Sequence, residues 1–303
     1  MRLSANKKRI AERLILLQAI IEGFYPIIIH YGVGKMPALL FAGLTSAVAA
    51  AGLFILMFVL GKMKELTNGK AWKILLIVSL FNTVLAPLFI FEGARFTSGV
   101  NTAILLQAEL PFTFLIYALF FKEHLGRAKL TSGLLILAGT LLVLFNGNLK
   151  LNVVDLLIIL GTLSYPFGNF FAKKALAKVS PVVALFVRNL IGAPILFLLS
   201  LAIKESWVQG ISAAHDYNDL IVINGLLILV VAKMLWYTGL KNLHVTRAIP
   251  IVLTAPAFSL IYAIFLLNEL PTFYQLLGIT ATLTGLYVLS TKKVEDGVAH
   301  SKG

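Results

Sequence analysis

Apolar positions along this chain fall in runs too long and too unbroken for helices that must show one face to water. Pro37–Leu60, Leu130–Leu149, Ala248–Asn268 and Pro271–Thr291 hold no charged residue, and Ile74–Phe91 and Leu156–Ala172 are shorter runs of the same kind. Four more each enclose one acid or base: Leu14–Gly34 with Glu22, Phe96–Phe121 with Glu109, Ser180–Ile203 with Arg188, and Leu220–Leu240 with Lys233. About 20 apolar residues suffice to cross a bilayer as a helix. The pattern therefore predicts an all-α integral membrane protein of ten transmembrane helices. The connections are short, apart from the polar stretch Lys204–Asp219, which has room for a small surface helix or a loop.

The runs repeat. Leu105–Leu125 (LLQAELPFTFLIYALFFKEHL) returns as Leu253–Leu270 (LTAPAFSLIYAIFLLNEL), with Pro111 answered by Pro256 and LIYA by LIYA. Tyr25-Pro26 is echoed by Tyr165-Pro166, Pro37 by Pro181, and Gly133 by Gly278. Each half then holds five helices, over residues 10–149 and 150–293, with a polar tail at 294–303. An odd number of spans turns the second half upside down relative to the first. Inverted-topology repeats of this kind are a common plan of secondary transporters, whose site lies near the midplane between the halves.

Composition agrees: 59% of residues are hydrophobic and 13% charged, against about 45–50% and about 25% in soluble domains. The net charge of +13 would point to nucleic acid in a soluble protein, but here the bases flank the apolar runs. Twenty of the 26 Lys and Arg residues fall on the side of the N-terminus and four on the other. The positive-inside rule then places both termini in the cytoplasm. Nucleic acid is not an expected partner; the bilayer is. Leu14–Tyr31 exceeds a signal-peptide core and reads as a retained first span. There is no cysteine, which excludes disulfides and thiolate metal sites.

A family likeness rests on particular residues. Trp236-Tyr237-Thr238-Gly239-Leu240-Lys241-Asn242-Leu243-His244-Val245-Thr246-Arg247-Ala248, followed by Pro256, LIYAIF, Asn268-Glu269-Leu270 and Gly278 to Gly285, resembles the second unit of EamA-type drug/metabolite transporters. Pro111, LIYALF, Lys122-Glu123-His124-Leu125 and Gly133 to Gly139 resemble the first, and Asp155, Ser180-Pro181 and Arg188 the opening of the second. Leu44 stands in the first unit where the second has Arg188, and Ala255 precedes Pro256 where the family often has Glu. The resemblance implies a ten-helix transporter of a prokaryotic cytoplasmic membrane, a monomer or homodimer. Helices 1–4 and 6–9 would surround a cavity, with helices 5 and 10 outside it.

The chemistry on offer is four charges inside apolar helices, each costing roughly 2.5–3.5 kcal/mol at a helix centre on insertion scales. They must pair or line water. Gln18, Glu22, Tyr25 and Pro26 share one helical face, and a mid-helix proline frees a carbonyl one turn back. Glu109 precedes Pro111, with Gln107, Thr102 and Asn101 upstream. Lys233 has Trp236 and Tyr237 at i+3 and i+4, a setting for an anionic group on an apolar body. Tyr165, Asn169 and Asn224 are further candidates for the cavity wall. Pro26, Pro111, Pro166 and Pro256 are expected hinges. Arg188 lies two turns from a helix end, so it reads as structural and free to snorkel, and Tyr117 and Tyr262 read as packing or anchoring residues.

No HExxH, phosphate loop or nucleophile triad is present, and the five histidines are scattered, so neither an enzyme nor a cofactor is expected. The expected activity is export of a small organic solute, an amino acid or similar zwitterion, by alternating access. The carboxylates would take its cation and Lys233 its anion. If protons drive the cycle, Glu22 or Glu109 carries them. The alternative is a membrane scaffold or accessory subunit that transports nothing.

Overall fold

The structure, a computed structural model, describes residues 5–121, 126–145, 153–243, 251–252, 254–268 and 270–291. The tail at 294–303, Lys122–Leu125, His244–Ala248 and Glu269 lie outside the described residues. The described chain is helical, without a strand. Seven helices are long and apolar enough to cross a membrane: α1 (Arg9–Val33), α2 (Ala38–Val59), α3 (Gly69–Ala94), α4 (Gly99–Phe120), α6 (Val154–Leu176), α7 (Pro181–Ala202) and α8 (Asn218–Lys241). Three shorter apolar helices complete the bundle: α5 (Leu130–Leu142), α9 (Ala255–Leu267) and α10 (Phe273–Val288). The polar stretch after α7 holds the helix Trp207–Asp216.

The outside of this bundle is as apolar as its inside. Phe58, Leu119, Leu198 and Phe265 are 69, 66, 65 and 77% exposed, which only a hydrocarbon solvent accommodates in such numbers. With lipid outside, apolar burial no longer drives helices together, and close packing of small residues takes over. The glycines of α5 and α10 show this. A methyl group on Gly139 would collide with the carbonyl oxygen of Gly278, and one on Gly285 with that of Ser132.

The packing maps onto itself under a shift of five helices. The helices α1 and α8 pack together, as do α6 and α3, while α2 packs on α7 and α5 on α10. The antiparallel pair α2–α7 is fastened at both ends by the same device. Glu205, just past the end of α7, accepts the N–H groups of Leu39 and Leu40 at 3.0 Å each. Glu65, just past the end of α2, accepts the N–H of Ser180 at 2.5 Å, where α7 begins. Helix N-termini present unsatisfied N–H groups and a positive dipole end, and a carboxylate answers both.

Irregular turns also recur at matching places. Leu80–Leu85 of α3 and Ile223–Ala232 of α8 are π-helical. In α1 the regular pattern breaks at Phe24, immediately before Tyr25-Pro26, where the Phe24 N–H donates to Ile21 instead of Ile20. The break leaves carbonyls that lipid cannot satisfy, and α9 supplies donors. Ser259 Oγ donates to the Gly23 carbonyl at 2.9 Å and Tyr262 Oη to that of Ile20 at 3.3 Å. Phe24 stacks on the Tyr262 ring with centroids 3.7 Å apart.

Candidate functional site

A cavity of about 180 Å³ opens between α1, α2, α3, α4, α6, α7, α8 and α9, with Ala42, Thr45 and Ser46 of α2 and Ala255 and Ser259 of α9 in its wall. Its wall contains Glu22, Tyr25, Glu109, Tyr165, Asn169, Lys233, Trp236 and Tyr237, the residues expected there from the sequence. Pro26, Gln18, Gln107 and Tyr117 line it too, whereas Asn101, Thr102 and Asn224 do not. Asn224 is fully buried beside Gly225, which presses on Thr45 and Val48 of α2. Asn101 is taken up by Gln275 of α10 at 2.6 Å. Asn101 is thus held between helices, while the Asn224 amide is buried away from the cavity without a hydrogen-bond partner.

Two networks cross the cavity. In the first, Lys233 Nζ lies 2.6 Å from Glu22 Oε1, and Gln18 Nε2 donates to Glu22 Oε2 at 3.1 Å. The Lys233 ammonium sits 5.7 Å from the centroid of the Tyr25 ring, rather than over the two aromatics of its own helix. Tyr25 and Tyr165, the echoed tyrosines of α1 and α6, meet hydroxyl to hydroxyl at 3.4 Å. In the second, Asn169 Nδ2 donates to Glu109 Oε1 at 3.1 Å and Asn82 Nδ2 to Asn169 Oδ1 at 3.4 Å. Glu109 thus finds an amide partner, and among the described residues no Lys or Arg lies within ion-pair distance of it.

Proline shapes these walls. Pro26 and Pro256 each sit in the first turn after a helix start, and Pro111 follows a 3-10 turn at Leu106–Ala108. A proline cannot donate to the carbonyl four residues back, and for Pro26 that carbonyl belongs to Glu22 itself. Pro166 differs: it sits inside the continuous helix Val153–Leu176. Sequence reading passed over Pro87, which follows the π-helical turn of α3 and also lines the cavity. A proline within an apolar run was its available signal.

Arg188 departs most from expectation. It does not snorkel. It is 4% exposed, lines the cavity, and its Nη1 donates to Tyr237 Oη at 3.2 Å. Asn82, Thr83 and Asn189, also missed, lie in the same wall. Neutral polar residues inside apolar runs leave little trace in hydropathy, and depth along a helix does not say which way a side chain faces.

A bundle of membrane helices around a small cavity with charge of both signs has the build of a solute transporter. The EamA-like transporter family matches residues 9–145 and again 152–291, and the chain belongs to that family. A "Probable amino-acid metabolite efflux pump" of Escherichia coli (strain K12) is 26% identical over 91% of this chain and 93% of its own length. A protein of the same name from Salmonella typhimurium is 29% identical over the same shares. An "Uncharacterized transporter" of Archaeoglobus fulgidus is 25% identical over 75% of this chain and 78% of its own. One solved crystal structure superimposes with a TM-score of 0.66 at 19% identity, covering 91% of this chain and 95% of that one, and so shares the fold.

Proposed function

We propose that this protein exports a small organic zwitterion, an amino acid or close relative, by alternating access. The observation that carries the reading is the cavity itself: Glu22, Glu109, Arg188 and Lys233 all face one space inside a membrane bundle. Charges of both signs at membrane depth are expensive unless they pair or serve a solute. At about 180 Å³ the space is smaller than the roughly 300–1,000 Å³ of drug-sized sites, which favours a metabolite over a bulky drug. Two relatives carry the name of amino-acid metabolite efflux pumps, and export is read on that ground.

In this reading α5, α9 and α10 are spans as well, giving ten, in two inverted halves at 10–149 and 150–293. The five-helix shift in packing and the exchanged caps of Glu65 and Glu205 support the inversion. Both termini face the cytoplasm of a prokaryotic cell. Glu109 takes the cargo's ammonium group and exchanges a proton for it, because it carries no cation of its own. Glu22, held by Lys233, is the reserve carrier, and Pro26, Pro111 and Pro256 mark the turns that flex.

The test is flux in proteoliposomes holding the purified protein, with labelled amino acids and an imposed pH gradient. Saturable counterflow, accelerated by the gradient in wild type and insensitive to it in Glu109→Gln, is expected. Folded protein that moves no amino acid in either direction would favour the scaffold.

A further inference from the structure

Building on the zwitterion reading, we propose that Arg188, rather than Lys233, anchors the cargo's carboxylate. The argument starts from which charges are already answered. Lys233 and Glu22 neutralise each other at 2.6 Å. The cavity then retains one anion, Glu109, and one cation, Arg188, placed on α4 and α7. Glu109 has only the Asn169 amide. Arg188 has only the neutral Tyr237 hydroxyl for Nη1, and its Nε is buried with no partner. Among the described residues no carboxylate lies within ion-pair distance of this guanidinium.

A buried charge without a counter-charge is costly, and a guanidinium bears five donors that fit a carboxylate two at a time. The neighbouring wall also holds unanswered polar atoms: the Thr83 hydroxyl, which can donate to a carboxylate, and the acceptors Asn189 Oδ1 and Asn82 Oδ1, which suit the donor groups of a cargo. The Tyr237 side chain orients the guanidinium, whose carbon lies 5.9 Å from the ring centroid, and Ser79 Oγ of α3 holds the main chain there by donating to the Arg188 carbonyl at 2.7 Å. Competition decides between the two bases: a carboxylate reaching Lys233 must first displace Glu22, whereas at Arg188 it displaces at most a neutral hydroxyl. A cargo with its ammonium on Glu109 and its carboxylate on Arg188 leaves the Glu22–Lys233 pair intact.

Binding of matched probes to the full-length protein in detergent tests this. Leucine, threonine and phenylalanine are each compared with their carboxamide and with the acid lacking the amino group. Wild type should prefer acid over amide by about tenfold or more, as the loss of a charge-assisted bidentate contact predicts. In Arg188→Gln the preference should fall to within about twofold, while Lys233→Gln keeps it. A preference retained in Arg188→Gln and lost in Lys233→Gln overturns the assignment and leaves the zwitterion reading standing. If the deaminated acids bind in an Arg188-dependent way but no amino acid does, the anchor stands and the zwitterion reading falls. If no carboxylate binds wild type, both fall. Should Arg188→Gln not purify as one species, Arg188→Lys replaces it: the charge remains but the two-pronged geometry is lost, and an unchanged preference there also overturns the assignment.

Discussion

Lys233 Nζ stands 2.6 Å from Glu22 Oε1, joining α1 to α8 across 211 positions of sequence, with the two side chains 20% and 16% exposed. The pair closes one flank of the cavity from two helices that the repeat places in opposite halves. Its carboxylate also receives Gln18, and its ammonium lies near the Tyr25 ring. Each charge therefore has one strong partner and weaker support.

Removing one member should cost more than removing both. A fully buried pair loses about 3–5 kcal/mol when one partner is deleted, and the partial exposure here lowers that to roughly 1–2 kcal/mol. Glu22→Gln and Lys233→Gln should each melt earlier than wild type in detergent, and the double variant should recover most of the difference. Additive losses in the double variant would show that the pair contributes no coupling.

The second network is set by a glycine. Gly168 lies so close to Asn82 that a methyl group there would overlap its side-chain amide. Gly168→Ala must push Asn82 away from Asn169, whose other end holds Glu109. Overpacking of this kind costs about 1–3 kcal/mol. We expect lower thermal stability, and a pH dependence of amino acid flux altered relative to wild type. Asn169→Leu should change the flux profile in the same direction. A Gly168→Ala variant whose flux profile matches wild type would mean that Asn82 plays no part in orienting Glu109.

The sequence showed some of this plainly and hid the rest for identifiable reasons. Glu22, Glu109 and Lys233 stand out because an ion in an apolar run is rare, and Gln18, Glu22 and Tyr25 share a face by helical spacing. The glycines of α5 and α10 were visible through the repeat. Arg188 was equally visible as a charge, but its position along α7 gave its depth and not its direction. Asn82, Thr83 and Asn189 carry too little polarity to mark a wall. The π-helical turns of α3 and α8 have no residue signature of their own, though Pro87 stands just beyond the first. Glu65 and Glu205 carry no sequence signal of their own, because their partners are the starts of helices far away along the chain.

Those two glutamates support a final prediction. Glu205 takes two N–H groups of α2, together with the Ser200 hydroxyl at 2.5 Å, and Glu65 takes the N–H of Ser180, the residue immediately before α7. Replacing a cap costs about 0.5–2 kcal/mol, so Glu65→Gln and Glu205→Gln should each lower the melting temperature. They act at opposite ends of the α2–α7 pair, and their effects should add. Only Glu65 carries a defined pH signature. Burial works to raise its pKa, but the hydrogen bond from Ser180 and the Lys62 ammonium at 3.2 Å outweigh it, and its carboxyl is held below the ordinary value. A lowered pKa means the carboxylate stabilises the fold fully above the unfolded value, near about 4.3, and loses that contribution as pH falls through the lowered folded value. The stability gap between wild type and Glu65→Gln should therefore be constant near neutrality and close as the solution is acidified below about pH 4. Thermal melts across that range measure it, and a gap that widens in acid would mean that Glu65 does not cap α7 as a carboxylate.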